Sequence, residues 1–135
     1  MREILFRGKT ELGKWVYGSL IHAGDYCSIL EREEDVHPMD YPFLDQEIGW
    51  IDGKATPIKL ETIGQFTGLV DKNGAKIFEG DIVRLDDSMN TDHKNFEVIF
   101  GYGQFYIGIN KPIVYVRYSC EVVGNIYDNL ELLEE

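Results

Sequence analysis

The sequence is poor in cysteine, histidine and positive charge, and each shortage closes off a class of protein. Cys27 and Cys120 lie too far apart for a C-x-x-C motif and are too few for a disulfide framework, so both are expected as buried free thiols. His22, His37 and His93 fall in separate segments, and neither cysteine stands at a metal-ligand spacing from another ligand, which argues against a structural zinc site. The apolar run Ile4-Leu5-Phe6 is too short for a signal-peptide core, and no stretch approaches the length of a membrane span. A cytoplasmic protein without a membrane role is the expectation. Thirteen basic against 24 acidic residues give a net charge of −11, a field that repels phosphate backbones. The small group Arg7, Lys9 and Lys14 does not reverse it, and direct nucleic-acid binding is not expected.

Several catalytic signatures are missing as well. Gly8-Lys9-Thr10 has the end of a phosphate-binding loop, but Glu3 replaces the glycine required five positions earlier and would repel phosphate. Gly101-x-Gly103 opens a dinucleotide fingerprint, yet Tyr106 occupies its last glycine position, and no helix pattern follows. There is no Gly-x-Ser-x-Gly elbow and no H-E-x-x-H pair. No cofactor is implied. The densest polar cluster, Asp86, Asp87, Asp92 and His93, offers hard-cation ligands or an acid beside an imidazole. It lacks EF-hand spacing, and a solvated loop explains it without further assumption. No catalytic or metal-binding residue is assigned.

What is present is a chain of 135 residues with 44% apolar, 13% aromatic and 27% charged residues, the make-up of a globular domain. We read residues 1–135 as a single domain. Apolar periodicity is short and two-fold, broken every few residues by Gly, Asp and Asn, which predicts a mainly β fold. Strands are expected over residues 4–7, 15–22 and 26–30. Between residues 31 and 57 the pattern decays into charge and two prolines, Pro38 and Pro42, so a long connection with one helical turn near residues 43–47 is expected. Residues 1–60 thus form a hairpin region and a long loop.

From residue 61 the signal sharpens. Residues 63–69 are β-prone and end in Asp71-Lys72-Asn73-Gly74, residues that tolerate positive φ in a turn. Segments 77–78 and 82–85 flank Glu79-Gly80-Asp81, a sharp bend or bulge. Segments 96–100 and 104–109 flank Gly101-Tyr102-Gly103 as a hairpin, with Phe105, Ile107 and Ile109 toward the core and Tyr102 and Tyr106 outside. Segments 114–118 and 121–127 and a terminal turn over 128–133 complete the pattern. Such closely spaced short strands suggest a small SH3-like barrel, or pseudo-barrel, over residues 61–135, with an N-terminal β extension.

Certain strings are individual enough to compare with a known family. Met1-Arg2-Glu3-Ile4 with Phe6-Arg7-Gly8, Trp15-Val16-Tyr17-Gly18, the run from Ile63-Gly64-Gln65-Phe66 to Lys72-Asn73-Gly74, Ile77-Phe78-Glu79-Gly80-Asp81-Ile82-Val83, and Val123-Gly124-Asn125-Ile126-Tyr127 with Leu130 resemble the YopX-like proteins of bacteriophages and prophages. The match departs most in segments 31–57 and 86–95. The resemblance implies a phage-encoded, cytoplasmic, β-rich domain, and it supplies no catalytic residues.

The expectation is therefore a noncatalytic binding or interaction module whose partner is a host or phage protein, with a homo-oligomer left open. Tyr102 and Tyr106 are the candidate anchors, because exposed rings on a hairpin supply interface energy. Two rivals are an acidic inhibitor that mimics nucleic acid toward a host DNA-binding protein, and a small enzyme built on Asp92 and His93. Far-UV circular dichroism tests the mainly β reading: helix well below the roughly one third typical of globular domains is expected, and a third or more would reject it.

Overall fold

The computed structural model describes residues 3–31, 55–85, 94–108, 111–115 and 119–134. It is mainly β, as the two-fold alternation predicts: eleven strands and a few 3-10 turns among the described residues, with antiparallel pairing within each unit described below. No helix among them is long and apolar enough to cross a membrane. Two compact units are distinguished, one of residues Ile4–Gly64 and one of Gln65–Glu135 with Met1–Glu3.

In the Ile4–Gly64 unit, β1 (Phe6–Lys9), β2 (Trp15–Ala23), β3 (Tyr26–Glu31) and β4 (Ala55–Pro57) pair in the order β4-β3-β2-β1. Alternation puts Phe6, Val16, Leu20, Cys27 and Ile29 on one face, where they pack with Ile58 and Ile63. The buried Cys27 thiol donates to the Ile58 carbonyl at 3.2 Å. Burial first, then the Glu61 carboxylate, pushes that thiol's pKa up. Thr62 Oγ1 accepts the Lys9 N–H at 2.8 Å and donates to the Lys59 carbonyl at 2.6 Å, fastening the 3-10 turn Leu60–Thr62 to β1. β4 was not expected; it lies inside the predicted connection, whose residues 32–54, with the helical turn at 43–47, fall outside the described residues. Three residues ending in proline carry no periodic signal, and an edge strand is where a proline without an N–H is tolerated.

The Gln65–Glu135 unit contains β5 (Gly64–Val70, from its second residue), β6 (Lys76–Phe78), β7 (Asp81–Leu85), β8 (Lys94–Gly101), β9 (Gln104–Ile107), β10 (Lys111–Pro112) and β11 (Cys120–Asn125). β5 pairs with β6, and a sheet runs β10-β9-β8-β7-β11. The sheet is open: β10 and β11 are its edges, and no pairing among the described residues closes it into the expected barrel. Ile77, Val83, Val98, Ile107, Ile113 and Cys120 form its core. The expected strand at 114–118 is replaced by β10 and a 3-10 turn, Ile113–Tyr115, with residues 116–118 outside the described set. Pro112 has no N–H to continue a ladder, and the chain turns to bury Ile113. The last strand stops at Asn125 rather than 127, because the Asn125 side-chain oxygen accepts the N–H groups of Tyr127 and Asp128 at 3.0 Å each and turns the chain.

Two buried carboxylates hold this unit's turns. Asp81 accepts the Phe78 N–H at 2.7 Å across the Glu79-Gly80 bend. Asp71 accepts from Asn73 and Ala75 at 2.9 Å each through one oxygen and from Val122 on β11 at 2.8 Å through the other. Exchanging Asp71 for asparagine sets an amide NH₂ against backbone donors in a buried site. Asp71→Asn is expected to lose about 1–3 kcal/mol in urea unfolding with an unchanged denaturant slope; a stability equal to the parent's would show that the carboxylate does not hold the turn.

Candidate functional site

The β8–β9 hairpin is joined by two residues, Tyr102 and Gly103, with φ of +53° and +78°. Positive φ at both positions is the signature of a type I′ turn, whose twist matches that of the strands and which favours Asn-Gly. Tyrosine in the left-handed region costs about 1–2 kcal/mol. Burial does not offset that cost, since Tyr102 is fully exposed.

Counting back from the turn gives the register: Gly101 faces Gln104, Phe100 faces Phe105, Ile99 faces Tyr106 and Val98 faces Ile107. Val98 and Ile107 lie in the core, and the next pair on the same face, Phe100 and Phe105, carries that apolar row outward. Their rings are 5.0 Å apart and tilted by 58°, with Phe100 50% exposed. On the other face, Tyr106 packs against Gly101: a Cβ there would come within 3.1 Å of the tyrosine hydroxyl and 3.2 Å of its ring. Tyr106 is thus off the core, as alternation predicts, yet half-buried because the missing side chain of Gly101 leaves room for its ring.

The end of this hairpin outreaches its neighbours. Pairing with β7 stops at Glu97, after which Gly80 donates to the Val98 carbonyl at 2.9 Å, and pairing with β10 stops at Tyr106. Among the described strands, residues 100–105 therefore pair only with each other. A two-stranded ribbon is marginal by itself. Here the Phe100–Phe105 pair and the Tyr106 ring over Gly101 support it. Sequence reasoning singled out Tyr102 and Tyr106 and missed Phe100 and Phe105, although counting outward from the two-residue turn would have paired them.

The remaining sequence candidates are dispersed. His22 is exposed, its Nε2 3.0 Å from the Gly24 carbonyl. His37, His93, Asp86, Asp87 and Asp92 lie outside the described residues. Arg7 is buried with its guanidinium 4.7 Å from the Trp15 ring centre, and the Lys9 ammonium is 5.8 Å from it, so both cations are engaged with an aromatic ring in their own unit. Cys120 is buried, and desolvation, assisted by Asp71, pushes its thiol up to about 11, the opposite of an activated nucleophile.

One further titratable group stands out. Burial, then the neighbouring Glu79 carboxylate, raises the Glu97 pKa above the ordinary glutamate value. A folded-state pKa above the unfolded one favours the fold at low pH and opposes it once pH rises through the folded value. Glu97→Gln should therefore raise the melting temperature at neutral pH, with the gain vanishing near pH 4; an equal gain at both pH values would refute the assignment.

Comparison with known proteins agrees with this architecture. No curated protein matches the sequence. Protein EF1440 from Enterococcus faecalis superposes with a TM-score of 0.62 at 22% identity, over 99% of this chain and all of its own. Protein yopX from Bacillus subtilis does so with a TM-score of 0.61 at 19% identity, over the same shares. The YopX protein family model matches residues 5–134, nearly the whole sequence, and the chain belongs to that family.

Proposed function

We propose that the protein is a noncatalytic binding module of phage or prophage origin, acting in the cytoplasm of a bacterial cell, and that it holds a protein partner on the projecting β8–β9 hairpin. The observation that carries this reading is Tyr102: a fully exposed ring at a strained backbone position. Asparagine or glycine would serve the turn better, and the fully exposed ring gains no packing among the described residues to offset its strain. An aromatic in that setting gains its free energy against something outside the chain. Phe100, half-exposed on the core-side face, widens the contact. Tyr106 belongs to the support rather than to the contact, because its ring is committed to Gly101. The origin is supported by family membership and by similar structures from two bacteria.

Site-specific photo-crosslinking in bacterial lysate tests the proposal. A photoreactive residue at position 102 is expected to trap a discrete protein, while one at Leu12, 97% exposed in the other unit, traps none. Tyr102→Asn, with the reactive residue moved to position 100, should raise the melting temperature by a few degrees by relieving the turn. The same change should weaken the crosslink. Adducts as abundant from position 12 as from position 102, or a Tyr102→Asn variant that crosslinks as well as the parent, would reject the hairpin as the contact.

A further inference from the structure

The turn that Asp71 organises contains the only Asn-Gly pair in the sequence, Asn73-Gly74. Asparagine is a thermally labile residue, because the backbone nitrogen of the residue after it can attack its side-chain carbonyl carbon. Glycine at that next position has no side chain to obstruct the attack. Both residues are exposed, and apart from chain neighbours no described atom lies within 4 Å of where a Cβ on Gly74 would stand. Water and hydroxide therefore reach the pair.

Access is open, yet the closed turn withholds the geometry. Gly74 donates its N–H to the Asp71 carbonyl at 3.0 Å, Asn73 and Ala75 donate to one Asp71 carboxylate oxygen at 2.9 Å each, and Asp71 donates to the Ala75 carbonyl at 2.8 Å. The peptide groups on both sides of Asn73 are thus fixed. With negative φ at Asn73, this hydrogen-bonded turn is of type I, which sets ψ there at about 0°. Ring closure needs another rotation, one that swings the Gly74 nitrogen over the Asn73 side chain, and it needs the reacting atoms aligned within about 3–3.5 Å. That rotation breaks the bond from Gly74 to the Asp71 carbonyl. The nitrogen must also lose its proton, and the resulting anion would stand beside the Asp71 carboxylate, where like charge opposes ionisation.

We propose that Asn73 is a latent deamidation site, shielded by the Asp71 turn while that turn is closed and converted to aspartate or isoaspartate once it opens. In the open turn hydroxide takes the Gly74 amide proton, the nitrogen forms a bond to the Asn73 Cγ, and the bond from Cγ to the side-chain nitrogen breaks, releasing ammonia after that nitrogen takes a proton from water. Water then opens the cyclic succinimide: attack at the side-chain carbonyl gives aspartate, and attack at the backbone carbonyl gives isoaspartate, with the main chain routed through Cβ. No electrons are transferred, and water is the co-reactant throughout. Either product places a new negative charge beside Asp71. Isoaspartate also adds an atom to the main chain between the Asn73 and Gly74 donors, so that the two no longer reach Asp71 together. A turn that has opened is then hindered from closing, and because the same carboxylate holds Val122, the loss extends to β11.

Peptide mapping by mass spectrometry, on the full chain incubated in mildly alkaline buffer, tests this. Residue 73 should convert about tenfold or more slowly in the native chain than in the same chain held unfolded in guanidinium chloride. Equal rates, or no conversion at residue 73 in the unfolded chain, would overturn the proposal, and this comparison needs only the parent. Asp71→Asn should quicken conversion at residue 73 by about tenfold, and the mapping distinguishes that residue from the new asparagine. Asp81→Asn, which weakens the other carboxylate-held bend, serves as the control at a matched folded fraction. Equal quickening in both variants would trace the reaction to lost stability and overturn the Asp71 turn as the shield. The isoaspartate chain, separated chromatographically, should unfold at a lower denaturant concentration than the unmodified chain; an unchanged midpoint would overturn the hindered closing.

Discussion

Three backbone N–H groups converge on the buried carboxylate of Asp71, two from its own turn and one from β11, fifty-one residues further along the chain. A buried carboxylate is costly to desolvate unless its lone pairs are filled, and here the ligands are main-chain donors that would otherwise lack partners. The bond to Val122 also closes the free edge of the last strand. One side chain thus satisfies its turn, fixes the position of β11 and leaves that edge unavailable to another chain. Lys72, next to it, adds the bond to the Cys120 carbonyl.

The Glu79-Gly80-Asp81 bend extends the same logic to the start of β7. Asp81 holds Phe78 from below the bend, Gly80 donates to Val98 on β8, and Ile126 donates to the Gly80 carbonyl. The bend is anchored to two strands at once, and Gly80 has the positive φ of +90° that this route requires. With its last strand fixed and β7 and β8 tied at Val98, the sheet of this unit has a defined rigid end. Beyond that end the hairpin continues alone, stabilised by ring contacts instead of neighbouring strands. Binding elements are commonly less braced parts mounted on a rigid scaffold, and the hairpin tip fits that pattern in its pairing, its strain and its exposed rings.

Much of this was legible in the sequence. Two-fold alternation located β2, β3 and β7 within a residue or two, and Asp71-Lys72-Asn73-Gly74 and Gly101-Tyr102-Gly103 marked turns where the structure has them, because turn chemistry and side-chain alternation are local. The exposure of Tyr102 was legible for the same reason. β4 was not, since three residues ending in proline become a strand only when β3 supplies an edge to pair with. Nor was the 3-10 turn Ile113–Tyr115, where Pro112 and the burial of Ile113 prevail over the β propensity of its valine and tyrosine.

The sequence by itself determined the mainly β class, the family, the acidity and the positions of the tight turns, all of which depend on residue type and near neighbours. Only the tertiary structure decided that no pairing among the described residues closes the sheet, that Tyr106 is held across Gly101 while Tyr102 is fully exposed, and that the β11 edge is capped by Asp71, Lys72 and Asn129. Those outcomes depend on register and on bonds between residues far apart in the chain, such as Asp71 with Val122, and on a vacancy such as the one above Gly101. Alternation tells which face a side chain takes; what lies on that face is set by the strand that comes to pair beside it.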